Sequence, residues 1–427
     1  MTTKFGNKFE SKISVPEKLQ ELAKPVFQCL RAIGYLSLTI QPDCTVTGGW
    51  KSKASFWTLL TILLSLVTTS VVAGTTQKYQ TIAKLTPTEK FVHNLLYTIF
   101  AVSGLTFQCM SLYKSKSSEM FWKFHNYQFE LYTSLGEQFN FCLKNFKYAE
   151  KFSDIQKYTR RWVLIALVSS VAFILFGTVF SFYSIFYNIS DPWDISGYEK
   201  NQEQGKGLND QTASSPFIKI SFIVAIVVWL FRIYLHSALV IYITLFLKLY
   251  CACLEVVAQE LDEIQRKKFS NKEHSGTVTF KKFQLQPSVT ICQEKDGYRS
   301  QKNSEETVGS CLECIDIIAN LIDGFNDHFG FELLIQIVYC ITLVLAYSFF
   351  TLFSIIKADH NNIVYCFNLS ALLASQIYQL LTECGKIKTT VNQVLTSLCR
   401  LDLVKLPEDL QKNVGGILRV GTYLEYN

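Results

Sequence analysis

The chain has 427 residues, of which 49% are hydrophobic, 14% aromatic and only 18% charged, with a mean hydropathy of +0.19. These values are too apolar for an ordinary soluble protein and fit a polytopic membrane protein, and a net charge of +6 gives no reason to expect a nucleic-acid partner. Thirteen cysteines are scattered, many of them inside apolar runs where Cys acts as a small hydrophobe, so they define neither a disulfide scaffold nor a redox compartment.

The first residues, MTTKFGNKFESKISVPEKLQ, are polar and lack the apolar core of a cleavable signal peptide. Leu19 to Leu38 forms an amphipathic segment too charged to cross a bilayer, expected at the inner interface or against a helical bundle. Six apolar spans follow, at about Ser55–Gly74, Phe91–Tyr113, Trp162–Tyr187, Phe217–Tyr250, Phe331–Ile356 and Ile363–Leu381. The fourth organises the rest. At about 1.5 Å per residue its run of about 34 residues would extend roughly 50 Å, more than the hydrocarbon core requires. Beyond it, Leu254, Val257, Ala258, Leu261 and Ile264 keep three- and four-residue spacing, so one helix is expected to continue to about Lys267 as an amphipathic rod in water.

Between the second and third spans, aromatic and charged residues alternate in a way that predicts helical extensions of both neighbours. Ser270 to Ser310 is polar without sustained periodicity and reads as a flexible insertion, with helix resuming at Cys311. The expected division is a cytoplasmic N-terminus with an amphipathic helix (1–54), spans one to four (55–250), a cytoplasmic helix, flexible loop and return helix (251–330), spans five and six (331–382), and a cytoplasmic helix with a final segment (383–427). An N-inside topology places 32 Lys and Arg in cytoplasmic segments and 6 in external loops. The sequon Asn188-Ile189-Ser190 then falls outside, making Asn188 a candidate glycosylation site.

Arg232 and His236 are four residues apart and share one face of the long helix. A cation inside a membrane marks a ligand, a pathway or a partner, or else a structural hydrogen bond to a neighbouring helix. Cys311 and Cys314 form a lone CxxC without the second pair a zinc site needs, and no metal or cofactor is expected. Cys251 and Cys253 lie at the inner membrane edge as nonspecific candidates for palmitoylation. No Ser/His/Asp, Cys/His or HExxH arrangement occurs, and the expectation is a non-enzyme. Trp229, Tyr347 and Tyr365 could line a ligand pocket, although most aromatics in a bundle pack or anchor at interfaces.

Taken together, PVFQCLRAIGYLSL near the N-terminus, the fourth span continuing into the cytoplasm, the loop after it, Leu321-Ile322-Asp323-Gly324-Phe325-Asn326-Asp327-His328-Phe329-Gly330 before an apolar fifth span, and ECGKIKTTVNQVLTSL after the sixth resemble the insect gustatory receptor family. The likeness is one of lengths and residue types over most of the chain. The family's compact signature, Thr-Tyr-Leu followed by apolar residues and Gln-Phe within a seventh span, is represented by Thr422-Tyr423-Leu424 without the Gln-Phe. The resemblance implies a seven-helix, tetrameric, ligand-gated cation channel of the plasma membrane, with a cytoplasmic helical anchor and an external-facing tastant pocket. This sequence itself supports six spans with both termini inside and an incomplete seventh. Trp229, Arg232, Tyr347 and Asn368 are the candidate ligand-binding residues, chosen for polarity or aromaticity within spans. A truncated, non-conducting or modulatory subunit is the variant of this reading that the incomplete seventh span sustains, and a solute transporter is the rival that Arg232 sustains; a G-protein-coupled receptor conflicts with the orientation and span count.

Overall fold

A computed structural model describes residues 15–40, 46–48, 52–82, 86–116, 120–142, 153–169, 171–172, 216–276, 293–356, 360–401 and 407–415. It consists of helices apart from one small hairpin: α1 (Val15–Ala32), β1 (Leu38–Ile40), β2 (Val46–Gly48), α2 (Lys53–Ile82), α3 (Pro87–Lys116), α4 (Met120–Cys142), α5 (Pro216–Gly276), α6 (Gln293–Ile356) and α7 (His360–Cys399). Residues 153–169 and 408–415 are also helical.

Four helical segments are long and apolar enough to cross a membrane: Lys53–Ser70, Pro87–Lys114, Arg232–Arg266 and Glu305–Ile356. Several membrane-length apolar helices in a helical chain are thus present as expected. The expected third span lies mostly beyond residue 172, outside the described residues. The expected sixth, 363–381, is helical within α7 but is not among the four.

The long central helix is α5. In the apolar 18-residue window of its Arg232–Arg266 stretch 89% of positions are buried, against 33–39% in the corresponding windows of the other three candidates. Those three bury one face and expose the other. On α6, Tyr339, Cys340, Leu343, Ala346 and Tyr347 are buried, while Phe331, Leu334, Val338, Ile341, Leu345 and Leu352 are exposed at three-, four- and seven-residue intervals. Exposed apolar stripes of that kind fit a lipid-facing surface, where burying them inside the bundle brings no gain.

The amphipathic lead-in packs against the bundle. Leu22, Val26, Phe27, Leu30 and Ile33 all enter the main core, facing α4 and α5. The helix ends in a tight turn in which Gly34 NH bonds Arg31 O (3.0 Å) and Tyr35 NH bonds Leu30 O (2.9 Å). Gly34 has φ +71°, and a Cβ there would stand 2.1 Å from Thr61 Oγ1 of α2, so only glycine satisfies both the backbone and the close approach. The chain then enters the β1–β2 hairpin, antiparallel with Thr39 opposite Thr47, which the sequence reading did not anticipate. Trp57 Nε1 donates to Ala32 O at 2.9 Å and ties α2 to the end of α1.

Two boundaries are corrected. The long helix runs past Lys267 to Gly276. The return helix begins at Gln293, so the expected flexible stretch from 270 to 310 is helical at both ends. Residues 293–310 are rich in Gln, Glu, Lys, Arg and Ser, which supply helix propensity without an apolar period to reveal it. From Val308 onward the period is visible: Val308, Cys311, Leu312, Ile318, Leu321, Phe325 and Phe329 are all buried in one core.

Candidate functional site

Where α2, α3, α5, α6 and α7 converge, the interior is polar. His236 of α5 is 1% exposed, and both its ring nitrogens are engaged. Nδ1 lies 2.8 Å from Gln336 Oε1 on α6, and Nε2 lies 3.1 Å from Ser103 Oγ on α3. With the amide oxygen as acceptor, Nδ1 carries the proton and Nε2 accepts from the serine hydroxyl. The ring stacks on Tyr339 with centroids 3.6 Å apart and meets Phe107 edge-on at 5.3 Å. One residue along α5, Ser237 Oγ accepts from Gln376 Nε2 of α7 at 2.8 Å. Adjacent positions of α5 are therefore bonded to three other helices.

Beside this network lies a cleft lined by Ile233, His236, Ser237, Tyr339, Tyr347 and Gln376 among others. It has room for about one water molecule.

One turn before His236, Arg232 is 3% exposed. Its Nη2 donates to Ser65 O at 3.1 Å and to Thr69 Oγ1 at 2.7 Å, both on α2. Its shaft lies against Gly104 of α3, where an added Cβ would approach Arg232 Cδ to 3.3 Å. The four candidate ligand residues separate on this frame. Arg232 and Tyr347 are buried, and Tyr347 lines the cleft. Asn368 is on the exposed side of α7, while its neighbour Leu369 turns to the cleft. Trp229 belongs to α5 one turn before Arg232, but its side chain is outside the described residues, as are Asn188 and Thr422, Tyr423 and Leu424.

A second buried polar cluster sits where α3 and α6 approach the base of the bundle. Lys114 Nζ contacts both Glu332 oxygens at 2.6 and 2.7 Å and donates to His328 O at 2.6 Å. Tyr35 OH donates to Glu332 Oε1 at 3.3 Å. His328 stacks on Phe124, centroids 4.4 Å apart, and His125 bonds the Tyr242 hydroxyl. The sequence reading named neither Lys114 nor Glu332. The clue was a carboxylate one residue inside a predicted span, which requires a partner.

Lower still, Glu383 of α7 receives Lys248 at 2.8 Å from α5 and Lys386 at 2.9 Å from its own helix. Burial pushes its carboxyl up, but the hydrogen bonds and charge of the two lysines outweigh that and leave it below its ordinary value.

The cysteine motifs are packing. Cys311 and Cys314 are buried in the main core, and Cys251 and Cys253 are buried too, where an acyl chain could not be attached without opening the bundle. No cluster of three or more His, Cys, Asp or Glu suited to a metal occurs among the described residues. The polar interior offers hydrogen-bonding and a fixed positive charge, the elements of recognition and of coupling between helices. No family profile and no curated protein matches this chain.

Proposed function

We propose that the chain is a gustatory-type chemosensory receptor subunit of the plasma membrane, contributing to a homo- or heterotetrameric, ligand-gated, non-selective cation channel. A small tastant binds among the spans on the outer side, and six spans leave both termini in the cytoplasm. The observation that carries the reading is the continuity of α5 and α6: each runs unbroken from the apolar bundle into a polar helical base, over 61 and 64 residues. At about 1.5 Å per residue each is roughly 90 Å long. A displacement among the spans would be transmitted to the base through rigid rods, with His236 and Ser237 linking α5 to α3, α6 and α7 at the upper end. The resemblance to gustatory receptors and the Lys/Arg asymmetry support the same reading.

The test is current recording from cells that display the full chain, alone and with candidate partner subunits, against sugars and bitter compounds. A ligand-evoked cation current that persists when G-protein signalling is blocked is the expected result. Silence with every partner, despite surface expression, would reject it. Orientation is checked separately: Asn188→Gln should remove an endoglycosidase-sensitive mobility shift. A transporter is the second reading, favoured by Arg232, a buried cation within an apolar helix. Substrate counterflow without steady current would select it.

A further inference from the structure

Arg232 differs from the other cations that enter the bundle. Lys114 reaches Glu332 and Lys248 reaches Glu383. Arg232, buried more deeply than Lys114, has no carboxylate within 4.0 Å among the described residues. Its two hydrogen bonds go to a backbone carbonyl and a hydroxyl, both neutral. Its Nε is buried and has no hydrogen-bond partner among the described residues. A guanidinium stays protonated, so neutral acceptors satisfy some of its donors and leave its charge uncompensated. Within an apolar helix that arrangement is costly unless something anionic joins it.

We propose that Arg232 holds a small monovalent anion inside the bundle, either chloride or the carboxylate of a small organic acid. With both N–H groups of Nη2 held by α2, the buried Nε–H is the donor left to offer, and it suits a halide or one oxygen of a carboxylate. Ser65 and Thr69 hold the fork from α2, and Gly104 lets the shaft lie flat against α3, so the cation is positioned before the anion arrives. Size follows from the packing: the unpartnered Nε is itself buried, so a bulky acid could not reach it without parting the helices. This inference names a ligand class for the receptor site proposed above but is read by binding alone. Absence of current leaves it standing, and absence of binding leaves the receptor reading standing.

The experiment uses the full chain purified in detergent in a chloride-free sulfate buffer. Radiolabelled chloride and radiolabelled acetate are titrated separately, then in competition. Saturable binding of about one anion per chain is expected, lost at least tenfold in Arg232→Gln and partly kept in Arg232→Lys. Acetate displacing chloride points to a carboxylate ligand; chloride binding that acetate leaves untouched points to the free halide, and either supports the site. Failure of the native chain to bind either anion overturns the proposal without recourse to a variant. So does undiminished binding by a folded Arg232→Gln protein.

Discussion

Lys114 and Glu332 show how much a single partner matters when charges leave water. Glu332 is fully buried and Lys114 nearly so, with contacts of 2.6 and 2.7 Å. Desolvating two charges cancels much of their attraction, so the pair adds little net stability, yet removing one member strands the other. Lys114→Met should therefore destabilise the protein by about 3–5 kcal/mol, lowering its melting temperature in detergent. Lys114→Met combined with Glu332→Leu should recover most of that loss. A single variant as stable as the native chain would show that water already reaches the pair. Such polar chemistry was only partly legible in the sequence. Arg232 and His236 stood out because charge inside an apolar run is rare, and both prove to be buried and bonded to other helices. Gln336, Gln376 and Ser103 did not stand out, because uncharged polar residues in a span reveal their partners only when helices are assembled. Asn368 was chosen on polarity alone, and polarity does not say which face of a helix a residue occupies; it lies on the exposed one.

At the scale of elements, the helices long enough to show an apolar period were visible, and the connections were not. Spans one, two, four and five fall within α2, α3, α5 and α6, because about 20 apolar residues in a row admit few other structures. Helix over 293–310 escaped notice for lack of a buried stripe, and the β1–β2 hairpin because three-residue strands carry almost no periodic signal. The start of α3 was readable in retrospect: Thr86 and Glu89 form a reciprocal cap, with Thr86 NH donating to Glu89 Oε2 at 2.7 Å and Glu89 NH to Thr86 Oγ1 at 3.3 Å. The turn after α1 gives the sharpest prediction here. Gly34→Ala forces an L-residue into φ +71° and sets a Cβ against Thr61. It should cost at least about 1–2 kcal/mol from the backbone alone. Adding Thr61→Ala should remove the contact with Oγ1 while leaving the 2.9 Å contact with the Cβ of residue 61 and the backbone share, so partial recovery in a thermal melt is expected. Full recovery would mean that φ contributes nothing.

Across the whole molecule, the long helices are bound to one another twice, once among the spans through His236 and Ser237 and again in the base through Glu383. The lower junction joins α5 to α7 by an ion bridge and is continued by Gln265 Nε2 to Ser397 O at 2.6 Å and Ser397 Oγ to Asp262 Oδ1 at 2.7 Å. Any motion of α5 relative to α7 must either carry this base along or break it. Because Lys248 and Lys386 hold the Glu383 carboxyl below its ordinary value despite burial, the folded protein binds its proton less readily than the unfolded chain does. The stabilisation is therefore fully present above the unfolded carboxylate value of about 4.3 and is lost as pH falls through the lower folded value. Glu383→Gln removes the titrating group while keeping an oxygen that can accept from Lys248. Melting temperatures of the native and Glu383→Gln proteins, measured in detergent from neutral pH downward, should differ most near neutrality, with the native chain higher. The gap should close in acid, within the window bounded above by the unfolded carboxylate value. A gap independent of pH would mean that Glu383 acts by packing alone, and the base would then be joined chiefly by the apolar contact of α5 with α7 rather than by charge. A closing gap would instead identify an electrostatic latch, whose release would allow the long helices to move separately.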